Sequence, residues 1–159
     1  EPSSQLILHG EWAMFNCTHN WASLVGTSIN VTARTEDGLN ASKTTTLPTI
    51  DLRVMDTTFT ASTGIPCLNI TISNTAFSTQ NTTITQIVFV TQNATETADG
   101  TLTSPALAPS GCLLSIGTSV TVVCPWHWTT YLGQDLTVRV VTAEGFTVSQ
   151  TIQIPNSPP

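Results

Sequence analysis

From Phe146 the chain alternates. Phe146, Val148, Gln150, Ile152 and Ile154 fall on one side, and Thr147, Ser149, Thr151 and Gln153 on the other, the period-2 pattern of a strand with one covered face. Immediately upstream, Leu136, Val138 and Val140 alternate with Thr137 and Arg139, and Ala143-Glu144-Gly145 separates the two runs with a glycine able to take positive φ. A hairpin is predicted. Val120 to Cys124 reads as a further strand, ended by Pro125 because proline has no N–H to give a ladder.

The same pattern runs through the rest of the chain. Residues 5–15 place Leu6, Leu8, Gly10, Trp12 and Met14 at alternate positions and predict one long N-terminal strand, which pairs in its own sheet or leaves to join a neighbour's by strand addition. Ala22 to Ala33 is predicted as a strand bent at Gly26, followed by a Glu36-Asp37-Gly38 turn and a Thr-rich loop through Thr46. Further strands are expected at Thr49–Met55, where Ile50, Leu52 and Val54 share a face, and at Cys67–Ser73. Asn74 to Asn81 is a polar connection. Ile84 to Val90 is almost continuously apolar and belongs in the middle of a sheet. A short strand at Thr101–Thr103 sits among turn residues and prolines.

No stretch of ten or more residues shows helical spacing free of β-branched strand signals. Some eight short strands separated by turns predict an all-β, two-sheet sandwich of Ig-like or pilin-like kind with an N-terminal extension strand; an up-and-down barrel is the alternative. The expected division is a candidate donor strand over 1–15 and a sandwich domain over 16–159.

Composition narrows the function. Only 9% of the 159 residues are charged, against roughly 25% in ordinary soluble domains, and about a fifth are Thr. The net charge is −6 with four cationic side chains, which leaves no basic surface for nucleic acid or anionic lipid. No apolar run reaches the roughly 20 residues that cross a bilayer, so the mature chain is not expected to insert in a membrane. A start at Glu1 rather than Met predicts a processed, secreted protein at the cell surface.

Six Asn-x-Ser/Thr sequons, at Asn16, Asn30, Asn40, Asn69, Asn81 and Asn93, are candidate N-glycosylation sites, and covalent glycans would supply the solubility that charge does not. Register turns Asn30 and Asn69 away from their apolar neighbours; Asn40, Asn81 and Asn93 fall in polar, loop-like stretches. Cys17, Cys67, Cys112 and Cys124 are an even set in an extracellular setting. The pairing favoured is Cys112–Cys124, closed by a turn at 116–118, with Cys17–Cys67 remaining; free buried thiols are the other reading.

Catalytic signatures are missing: no phosphate loop, nucleophile elbow or zinc helix occurs, and no cofactor is called for. His9, His19 and His127 are spaced for no shared metal. Asp51 with Asp56, and Glu36 with Asp37, read as solvated carboxylates rather than a glycosidase pair. Trp126-His127-Trp128 suits either sugar stacking or core packing at a strand end. An enzyme is not expected.

The runs CLNITISNTAF…TTITQIVFV and SIGTSVTVVCPWHW…LTVRVVTAEGFTVSQTIQIP resemble β-sandwich modules of archaeal cell-surface proteins over about residues 66–154. The layout of an alternating N-terminal strand, many sequons and few charges is similar to the subunit of the archaeal thread filament. That resemblance implies a filament subunit whose partner is itself, polymerised head-to-tail by donor-strand complementation, with Leu6, Leu8, Gly10, Trp12 and Met14 as the donor face. The rival reading is an Ig-like binding or adhesion module of a surface-layer or receptor protein.

Overall fold

The computed structural model describes residues 26–60 and 64–158, together with 7–9, 11, 14 and 24. The described chain is all-β. Its ten strands are β1 (Ser28–Arg34), β2 (Asn40–Thr46), β3 (Leu52–Thr60), β4 (Cys67–Asn74), β5 (Thr82–Val90), β6 (Thr95–Thr97), β7 (Cys112–Leu114), β8 (Thr118–Pro125), β9 (Asp135–Thr142) and β10 (Thr147–Gln153), and a 3-10 turn spans Trp128–Tyr131.

Two antiparallel sheets face each other. One has the order β3-β4-β8; the other runs β10-β9-β5-β6, with β7 also paired to β5. Alternation dictates the core. Leu68, Ile70 and Ile72 of β4 and Val122 and Cys124 of β8 point inward from the first sheet, and Ile84, Ile87 and Phe89 of β5 and Leu136, Val138 and Val140 of β9 from the second. All are at most 1% exposed, and each such side chain contributes roughly 1.5–3 kcal/mol by leaving water.

The register defines two ends. At one, the near end, lie Leu52, Asn74, Thr118, Thr82 and Leu114; at the other, the far end, Thr60, Cys67, Pro125, Asp135 and Gln153. Buried Asn74 ties the near end together, its Nδ2 donating to the carbonyls of Gln80 (3.1 Å) and Leu114 (3.2 Å). Trp128 and Ile154 close the far end.

The predicted β9–β10 hairpin, the central β5 and the strands β4 and β8 form as expected. Three expectations need correction. The Thr-rich stretch through Thr46 is not a loop but strand β2, pairing β1 from Ser28↔Thr46 to Arg34↔Asn40; both faces of that ribbon meet solvent, so no apolar alternation marks it. Residues 101–103 form a turn, and Ser104 just after it makes an isolated bridge to Val123 of β8, while the short strands β6 and β7 exist because β5 offers them an edge. Cys112 and Cys124 are free thiols. Cys112 lies three residues before the 115–117 turn and Cys124 seven after it; at about 3.3 Å per strand residue, that offset is far beyond the span of a disulfide.

Candidate functional site

One corner of the sandwich is built from two edge strands. β3 pairs only with β4 and β10 only with β9 among the described strands, and the two approach each other. Both run from near end to far end, and each offers a row of backbone N–H and C=O groups that no other described strand pairs, the ordinary template for an added strand. Their inward side chains are incompletely covered: Val54 and Phe59 on β3, and Val148 and Ile152 on β10, are only half-buried against the core. Gln150 of β10 turns its Oε1 into this region, enclosed and accepting no hydrogen bond from a described residue. Residues Val54 to Asp56 carry a β-bulge that leaves Met55 60% exposed on the β3 edge.

The proposed donor face falls mostly outside the described residues, as Leu6, Gly10 and Trp12 do. Leu8 and Met14 are described, are 58% and 76% exposed, and belong to no strand. Locally the Glu11 N–H donates to the Leu8 carbonyl at 3.0 Å.

Four of the sequon asparagines, Asn30, Asn40, Asn81 and Asn93, are exposed; Asn69 is half-buried on the outer face of β4, and Asn16 lies outside the described residues. Asn40, expected in a loop, opens β2. Asn81 also accepts the Ile116 N–H at 3.0 Å through Oδ1, leaving its Nδ2 uncommitted by that bond.

The Trp126-His127-Trp128 stretch packs inward. Trp128 is fully buried, its Nε1–H donating to the Thr60 carbonyl at 3.2 Å, with Phe59 edge-on at 5.1 Å. Trp126 stacks between Phe89 (4.5 Å) and Tyr131 (5.5 Å). Glu96 binds this stack from above: the Trp126 indole N–H donates to Oε2 at 2.5 Å and the Tyr131 hydroxyl donates to Oε1. The bond to Glu96 raises the Tyr131 pKa, assisted by desolvation. With both indoles enclosed, the sugar-stacking alternative has no exposed face to use.

Two further polar ties brace the near end. Partial burial works to raise the Glu144 pKa but is outweighed by the bonds it accepts from the Thr82 hydroxyl (2.6 Å) and the Thr83 N–H (3.1 Å), which leave it lowered. Asp51 accepts the Thr75 hydroxyl at 2.6 Å and pairs with Arg53 at 3.1 Å; these bonds hold its carboxyl below the usual range. Among the cysteines, burial and then the neighbouring Cys67 push Cys124 up to about 12, so it is protonated and inert to thiolate chemistry at neutral pH. Cys67 is a free thiol as well, its Sγ–H donating to the Ile65 carbonyl at 3.2 Å, so the expected Cys17–Cys67 bridge does not form; Cys17 itself lies outside the described residues.

No family model matches this chain, and no curated protein matches it. Among solved structures it is similar to the archaeal flagellum of Methanospirillum hungatei strain JF1, with a TM-score of 0.48 and 15% identity. The likeness covers 67% of this chain and 66%, just under two thirds, of that one.

Sequence reasoning passed over Glu96 and Asn74. Glu96 sits in a Thr-Glu-Thr tripeptide with no local signal, and its partners lie 30 and 35 residues away. Asn74 had one readable trace: a polar residue in phase with Leu68, Ile70 and Ile72, which a buried face tolerates only when hydrogen bonds satisfy it.

Proposed function

We propose that this chain is a structural subunit of an extracellular, N-glycosylated filament, joined head-to-tail when residues 5–15 of one copy add as a strand along the β3/β10 corner of the next. The observation that carries this reading is the corner itself, where two strand edges that no further described strand pairs frame apolar side chains only half-buried against the core. The alternating apolar positions of residues 5–15 suit such an edge, and the exposed Leu8 and Met14 take part in no strand of their own chain. A catalytic role forms no part of the proposal. The Ig-like binding alternative loses its named recognition residues, because Trp126 and Trp128 belong to the core.

Deleting residues 1–15 should leave a folded monomer in sedimentation velocity where the intact chain forms filaments visible by electron microscopy. Filaments from the deleted chain would refute the donor role. Peptide mass spectrometry of native material should show added mass at most of the six sequons, Asn30 among them; six unmodified asparagines would remove glycans from the proposal.

A further inference from the structure

The β1–β2 ribbon stands outside the sandwich. Every residue of its two strands is exposed except half-buried Ile29, although an isolated two-stranded hairpin is marginal in water. Register separates its faces. Ile29, Val31, Ala33, Ala41, Lys43 and Thr45 share one; Ser28, Asn30, Thr32, Arg34, Asn40, Ser42, Thr44 and Thr46 share the other. Both sequons of the ribbon, Asn30 and Asn40, therefore lie on the polar face, and any sugar there leaves the apolar face bare. That face borders a concavity of about 480 Å³ whose described lining is Val31, Ala33, Ala41, Lys43 and Thr45 of this face together with Ser42. Lys43 makes no ion pair among the described residues.

The ribbon is rooted at the near end of the sandwich. Leu47 N–H donates to the Thr27 carbonyl, and Thr79 N–H to the Thr49 carbonyl, both at 2.9 Å. The far end has the complementary character: Ile65, two residues before β4, is 61% and Leu132, three before β9, is 39% exposed, Asp135 at the start of β9 is exposed, and no lysine or arginine is found there among the described residues.

We infer that the apolar face of the β1–β2 ribbon docks on the far end of a second copy, with Val31 and Ala33 against Ile65 and Leu132 and Lys43 facing Asp135. The inference rests on the filament reading above and adds to it a contact separate from the donated strand. Polymer growth then needs two engagements per junction, one by strand addition and one by this ribbon, and the second is sensitive to salt because its charges are exposed.

The test uses full-length chains in sedimentation velocity over a concentration series at low and high salt. Val31→Glu places a carboxylate in the contact and should raise the apparent dissociation constant by about tenfold or more. Lys43→Glu should raise it by about fivefold and remove most of the salt dependence, and adding Asp135→Lys to it should restore assembly to within about twofold of wild type. Neither ribbon position touches the core, so unchanged melting temperatures should accompany these losses. Wild-type assembly by both Val31→Glu and Lys43→Glu, with the 1–15 deletion still monomeric, would overturn the ribbon contact and leave the filament reading standing. Loss of assembly with Val31→Glu but no rescue by Asp135→Lys would overturn the far end as its partner. An intact chain that stays monomeric at every concentration would overturn both readings.

Discussion

Two hairpins of this molecule pair seven residues with seven and turn on a glycine of nearly equal φ, +85° at Gly38 and +87° at Gly145. Yet β9–β10 is structural framework and β1–β2 an appendage. The inward residues of β9, Leu136, Val138 and Val140, are completely buried because a second sheet faces them. Their counterparts on β1, Ile29, Val31 and Ala33, follow the same alternation and meet no facing sheet among the described residues; Val31 is 56% exposed. Alternation thus states that a strand has a face to be covered, and says nothing about which element covers it or whether that element is in the same chain.

The comparison breaks most visibly under truncation. Leu136→Ala should cost about 2–5 kcal/mol, the usual range for a buried leucine, and Val31→Ala no more than about 0.5 kcal/mol, as at an open surface. Thermal melts of the monomeric 1–15 deletion would measure both free of assembly. A large loss from Val31→Ala there would mean that the ribbon's apolar face is covered within its own chain.

The next contrast lies in the turns. Glu144 anchors the β9–β10 turn to Thr82 and Thr83, and Glu144→Gln should cost about 1–2 kcal/mol, as for a hydrogen bond to a charged group. Because its pKa is lowered from the ordinary 4.5, the unfolded chain binds its proton first as pH falls. Its contribution is therefore complete above about pH 4.5 and lost below, as pH descends through the folded value. Asp51, held down by Thr75 and Arg53, and Asp99, held down by Thr101, act in the same sense. Melting temperature should stay level from neutral pH to about 4.5 and decline only below it, and the decline should shrink in Glu144→Gln.

The smallest effect sharpens the comparison most. Alanine at Gly145 or at Gly38 meets the same backbone strain, about 1 kcal/mol, with no steric neighbour at either site. At Gly145 this should appear in the global melt. At Gly38 it should appear only as faster hydrogen exchange in β1 and β2, because the ribbon opens without unfolding the sandwich. Equal shifts in the global melt would show the two hairpins to be one cooperative unit.

Much of the sandwich was legible in the sequence wherever one side of a strand is buried. The alternations at Leu68–Ile72 and Leu136–Val140 and the apolar run Ile84–Val90 name half of the buried core. β2 was invisible because Asn40–Thr46 has solvent on both faces, and β6 and β7 because three-residue strands are fixed by their partner's edge and not by their own residues. The corner between β3 and β10 was not readable at all. It depends on which strands end up unpaired, a property of strand order, while the half-buried Val148 and Ile152 look the same in sequence as fully buried neighbours.

The parallel course of β3 and β10 has a mechanical consequence. Tension entering at residue 51 pulls β3 toward the near end, and tension leaving at residue 154 pulls β10 toward the far end. The load runs along both strands, across the β3–β4 and β10–β9 bonds, which lie perpendicular to it. Each ladder is then sheared as a whole instead of being peeled one pair at a time, so rupture requires many bonds to fail together. A subunit stretched along this axis in a force-spectroscopy trace should hold to a single high peak, and one pulled from residues 51 and 60, at opposite ends of β3, should gain no such resistance from β10.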